Sequence, residues 1–153
     1  MKVSIIGTGL SSLTLAKALV NQNIQVDLIT KKKIKTLNKS RTIGISKANT
    51  EFFNNNIDDI REIIWKLKRI EIFTDNLKKE KLINFENKNQ ELFSILKNDN
   101  LFQLLKKSLS KNKYFNKIPF KKNLSFLKNY DLIINTDYSN IITKKYFSKR
   151  IVK

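Results

Sequence analysis

The sequence predicts an α/β fold built on a parallel sheet, and three observations predict it. A short β-branched run opens the chain, an amphipathic stretch follows, and a second apolar run ends at residue 30. Strand and helix signals then alternate without an internal repeat. The composition suits a packed core: 41% of the 153 residues are hydrophobic and 10% aromatic, too apolar for a disordered chain.

Taken in order, Lys2–Gly7 (KVSIIG) is the type of a buried parallel strand. Residues 11–23 carry Leu13, Ala16, Leu19 and Val20 at helical spacing, with Ser11 or Ser12 in the first turn. Ile24–Thr30 is a second strand. Residues 46–56 and 57–67 read as helical pieces starting at Ser46 and Asp58. Residues 68–75 alternate Ile70 and Ile72 with polar neighbours, as a half-buried strand does, and 81–86 pairs with them as a hairpin across Asn76. The strongest amphipathic helix is 98–112, with Leu101, Leu104, Leu105 and Leu109 on one side. Pro119 fits an edge strand or a connection, and Asn129–Asp137 reads as a last buried strand.

Composition removes several chemistries. The chain has no His and no Cys, which excludes the usual zinc sites, Ser–His and Cys–His nucleophile pairs, and thiol redox work. No paired carboxylates stand out on one face, so no catalytic acid, base or metal site is assigned, and a bound cofactor would have to bring the chemistry. No apolar run approaches the ~20 residues that span a bilayer. With neither a signal peptide nor a disulfide framework, the reading is cytoplasmic.

The formal net charge is +18, yet only four of the 31 basic residues are Arg. The lysines are interleaved with Asn and Ile along the whole chain, which reads as a codon bias acting on tolerant surface positions. Nucleic-acid readers concentrate Arg on one element, so no specific nucleic-acid partner is assigned. The charge suits peripheral association with the inner face of a membrane.

Two of the three glycines, Gly7 and Gly9, fall in one turn between the first strand and the first helix. That context is the one a dinucleotide-binding fingerprint requires. Gly7 allows the tight turn, Gly9 lets the backbone approach a pyrophosphate, and the amides of Leu10, Ser11 and Ser12 open the helix toward it. Ser12 occupies the third glycine position, where a small residue packs helix on strand. The acid that usually holds the ribose at the end of the second strand is replaced by Thr30, followed by Lys31, Lys32 and Lys33. Thr30 is therefore assigned to the adenosine ribose, and the lysine run leaves a 2′-phosphate, hence NADP, as an alternative.

The series SIIGTGLSSLTLAKAL, RTIGIS, KRIEIFTD, NDNLFQLLKKSL and YDLIINTDYSN occurs in that order. It resembles the N-terminal part of the FAD-dependent aromatic hydroxylases, and within them the ubiquinone-biosynthesis hydroxylases that act on polyprenylated phenols. The resemblance implies a Rossmann-like FAD/NAD(P)-binding fold with a small antiparallel strand pair, and 67–87 as part of the substrate-side sheet. It places Arg41 near the flavin nucleotide. It aligns Asp137 and Asn140 with the family's Asp-Gly motif, with Tyr138 in the Gly position and Ile141 in the Ser position. On the residues alone, Asp137 instead caps the helix at 138–147. The cofactor implied is FAD, with NAD(P)H as reductant, and the substrate a small phenol. Family members are more than twice as long, so the chain reads as the N-terminal fragment of a flavoprotein, incomplete at its C-terminus. Two other readings stay open: a stand-alone NADP-binding protein, or a basic, non-enzymatic module for RNA or anionic membrane.

Overall fold

The computed structural model describes residues 1–30, 40–75, 80–86, 91–120 and 124–147. The lysine run 31–33 and Asn76 lie outside them. The chain divides into two compact units, one of residues 1–36 and 102–153, the other of residues 37–101.

The first unit is built on a parallel sheet. Strands β1 (Lys2–Ile6) and β2 (Gln25–Thr30) flank helix α1 (Leu10–Asn21), as the opening residues predict. The register runs from Lys2 opposite Gln25 to Ile6 opposite Ile29. Two later strands, β8 (Phe115–Pro119) and β9 (Leu132–Asn135), complete the order β8-β2-β1-β9. Val3, Ile5, Val26 and Leu28 are buried on one side, as are Leu13, Ala16 and Val20 of α1. Fully burying each of these Val, Ile and Leu side chains stabilises by about 1.5–3 kcal/mol. On the other side Ile6 and Ile29 pack with Leu127 and Ile142, which come from the 3-10 turn Leu124–Asn129 and helix α4 (Ile141–Phe147). Helix α3 (Asn98–Ser110) buries Leu105 and Leu109.

Edge position corrects one expectation. β9 is not a buried strand: among the described residues it pairs with β1 alone, and Leu132 and Ile133 are exposed. Pro119 ends β8, the opposite edge, where no ladder partner needs its missing N–H.

The second unit is antiparallel. β3 (Thr42–Ser46), β7 (Phe93–Lys97) and β4 (Ile64–Leu67) form a three-stranded sheet in the order β3-β7-β4. β5 (Arg69–Phe73) and β6 (Lys81–Glu86) form the expected hairpin pair. Helix α2 (Lys47–Asn56) starts at Ser46, whose hydroxyl accepts the Asn49 N–H. The second helical piece, 57–67, does not form. Asp58 and Asp59 accept the N–H groups of Asp59 and Arg61, and Asn54 accepts that of Ile60. These local bonds compete with helical ones, and β-branched Ile63 and Ile64 lead into β4 instead.

Candidate functional site

Strand order locates the site. From β1 the chain winds outward through β2 to β8, then returns to lay β9 on the other side of β1. In open parallel sheets, ligands bind outside the carboxyl ends of the strands where the winding reverses. Here that place is the end of β1 and of β9, residues Gly7 and Thr136.

Gly7 and Gly9 differ in what holds them. Gly7 is buried at φ 148°, a conformation that side chains rarely adopt, and its N–H donates to the Ile29 carbonyl at 3.1 Å. A Cβ at Gly7 would collide with the Thr136 hydroxyl and lie 2.6 Å from that of Ser12. Gly9 has an ordinary extended backbone, and a Cβ there would meet nothing within 4 Å. Gly7 therefore shapes the turn, whereas Gly9 leaves a bare approach to it.

Gly9 is also the N-cap of α1. Among the described residues no side chain caps the helix, its first turn carries no acid, and the Gly9 carbonyl accepts the Leu13 N–H at 3.2 Å. The amides of Leu10, Ser11 and Ser12 thus open the helix without a capping acceptor, with the positive end of the dipole behind them. Such an end is suited to a diphosphate.

Ser12 does two things. Its hydroxyl is buried 2.6 Å from that of Thr136, which in turn donates to the Ile6 carbonyl at 3.1 Å. The side chain is therefore spent on tying α1 to the end of β9, and only its amide faces the turn. No local sequence signal marks Thr136, because its partners lie 124 and 130 residues away.

Thr30 ends β2, buried, and its carbonyl accepts the Phe120 N–H at 2.9 Å. It shares a cavity of about 300 Å³ with Thr8, Lys106, Lys117 and the apolar Leu28 and Phe102. Asp137 follows Thr136 directly, and its carboxylate accepts the N–H and the hydroxyl of Ser139 at 3.0 and 2.7 Å. The helix cap falls to Asn140 instead, whose side-chain oxygen accepts the Ile142 N–H at 3.1 Å. Tyr138 is 85% exposed and not at positive φ, so the loop needs no glycine there. Arg41 belongs to the second unit, exposed ahead of β3, where its carbonyl accepts the Asn98 N–H at 2.9 Å.

The buried charge of the first unit lies apart from this turn. Asp27 is 1% exposed and is held by Lys2 at 3.0 Å, Tyr130 at 2.7 Å and Asn116 at 3.1 Å. Burial alone raises its pKa, but the bonds from Tyr130, Lys2 and Asn116 outweigh burial and hold the carboxyl below its ordinary value. Burial, then the bond to Asp27, pushes the Tyr130 phenol up to about 12. Among the described residues, no group of His, Cys, Asp or Glu could hold a metal ion, and no helix is long and apolar enough to cross a membrane.

No protein-family model and no curated protein matches the chain. Solved structures do match its fold. PqsL, a probable FAD-dependent monooxygenase from Pseudomonas aeruginosa, aligns with a TM-score of 0.62 at 16% identity, over 78% of this chain and 32% of its own. HpxO from Klebsiella pneumoniae, solved with FAD and uric acid, gives 0.57 at 19% identity, over 76% and 30%. The p-nitrophenol 4-monooxygenase PnpA from Pseudomonas putida gives 0.60 at 12% identity, over 76% and 31%. At these identities the likeness is one of fold, and the chain spans about a third of each of those structures.

Proposed function

We propose that this chain is the FAD-binding portion of a longer flavin-dependent monooxygenase that hydroxylates a polyprenylated phenol in ubiquinone biosynthesis. One observation carries the cofactor half of the reading. At the winding reversal of a parallel sheet, Gly9 leaves open space before three uncapped helix amides, while Gly7 is locked by Ser12 and Thr136. The fold likeness to FAD-dependent monooxygenases supports it. The substrate half rests on the sequence resemblance.

The residues present fit the group. The amides of Leu10, Ser11 and Ser12 would hold the diphosphate, Thr30 would meet the adenosine ribose, and Asp137 stands beside Thr136 at the same strand ends. The resemblance alone assigns Arg41 to the nucleotide and residues 67–87 to a substrate-side sheet. When bound, the flavin would take electrons from NAD(P)H and react with O2. This chain's part is to bind and orient it. The test is titration of the purified chain with FAD, read by quenching of flavin fluorescence. Saturable quenching that ADP competes away supports the reading, and its absence at high protein concentration opposes it.

A second reading, an NADP-binding protein, is favoured by one feature. Thr30 in place of an acid shares its cavity with Lys106 and Lys117, which suits a ribose phosphate. Tighter binding of 2′,5′-ADP than of 5′-ADP, without flavin binding, would select it.

A further inference from the structure

The two units differ in charge far more than in lysine content. Residues 37–101 hold twelve Lys and Arg against ten Asp and Glu, whereas residues 1–36 and 102–153 hold nineteen against three. A codon bias adds lysine everywhere, but it does not strip acids from one unit and leave them in the other. Of the three acids, Asp27 and Asp131 are both engaged by Lys2, one through its ammonium and one through its backbone N–H.

The excess has a place. From Phe102 to Tyr130 the chain carries eight lysines and no acid. Five of them, Lys106, Lys107, Lys111, Lys113 and Lys117, are exposed on the second half of α3, the turn after it and β8. Lys106 and Lys117 line one cavity, so helix and strand present their cations on a common side. Among the described residues none of the five is paired with a carboxylate.

We infer that this α3–β8 edge is a docking surface for an anionic bilayer. Charge complementarity names the partner, and the residue types narrow it. All five cations are lysine, a compact hydrated charge, rather than the planar Arg fork that reads bases and phosphates. Among the described residues no large hydrophobic residue between 102 and 130 is exposed, and Tyr114 and Phe115 are half-buried, so those residues offer no stacking platform of the kind a single-strand reader uses. The contact is electrostatic, distributed and salt-sensitive. It rests on charge and its placement, not on the proposed cofactor.

The test is co-sedimentation of the 153-residue chain with vesicles of phosphatidylcholine, with and without phosphatidylglycerol, at low salt. Two variants carry equal losses of charge: Lys106, Lys107, Lys111, Lys113 and Lys117→Gln, and Lys47, Lys66, Lys68, Lys81 and Lys97→Gln in the other unit. A smaller variant, Lys107, Lys111 and Lys113→Gln, serves if the first does not fold by circular dichroism. The expected result is binding only to phosphatidylglycerol vesicles, weakened about tenfold or more by the α3–β8 changes and about twofold or less by the others. Equal weakening by both sets, no binding to anionic vesicles, or tighter binding to a single-stranded oligonucleotide through the same lysines would overturn it.

Discussion

The Ser12 hydroxyl lies buried 2.6 Å from that of Thr136, and this contact joins the first turn of α1 to the residue after β9. It closes the carboxyl end of the sheet around Gly7. Thr136→Val keeps the shape but leaves the Ser12 hydroxyl buried without its partner, and should cost about 1–3 kcal/mol. Adding Ser12→Ala removes that orphan, so the double variant should be less destabilised than the two single losses summed. Urea unfolding of the four proteins measures the coupling, and strict additivity would contradict the contact.

The two glycines of the turn should separate stability from binding. Gly7→Ala meets a forbidden φ and two hydroxyls at once, and is expected to unfold the first unit or lower its stability by more than about 2 kcal/mol. Gly9→Ala has room and an ordinary backbone, so stability should change by less than about 1 kcal/mol. Gly9→Val should leave the chain folded, at a cost of about 1 kcal/mol, and still weaken dinucleotide binding, because the branched side chain fills the approach. Paired melting and binding measurements decide this.

How much of this was legible in the sequence follows from where each partner lies. Met1 to Thr30 declared itself because strand, turn and helix obey local rules, and Gly7 and Gly9 stand out in a chain with three glycines. The hairpin of β5 and β6 was equally local. β3, β4 and β7 were not read, because their pairing joins Thr42 to Lys97 and Ile64 to Leu96, contacts that no local period records. Ile64–Leu67 shows the cost: a helical apolar spacing was overridden by a strand partner. Thr136 and Asp27 escaped for the same reason, each being defined by residues far along the chain.

Asp27 makes acid stability testable. Its folded pKa lies below the ordinary value of 3.8, so the native state releases this proton more readily than the unfolded chain. The stabilisation is therefore present above about pH 4 and is lost as pH falls through the folded pKa. Asp27→Asn should lower stability at neutral pH and flatten the acid limb of a melting-temperature profile. Tyr130 has the opposite sign: with its folded pKa pushed up to about 12, its contribution is complete below about pH 10 and fades toward 12. An acid limb unchanged by Asp27→Asn would refute the assignment.

The β5–β6 ribbon exposes Ile72, Ile83 and Phe85, which share one face through the pairs Ile70–Phe85 and Ile72–Ile83. An apolar face of this kind favours self-association. Ile83→Lys with Phe85→Lys should reduce concentration-dependent light scattering while leaving the melting temperature of the chain within about 2 °C. A large loss of stability would mean that the face is already packed.

The most direct measurement of the central claim is an amide NMR titration of the 153-residue chain with FAD. The account predicts saturable shifts at Gly9, Leu10, Ser11 and Ser12, larger than those across β5 and β6, with ADP reproducing them. Binding of FAD that leaves those four amides unmoved, or no binding by a folded chain, would contradict it.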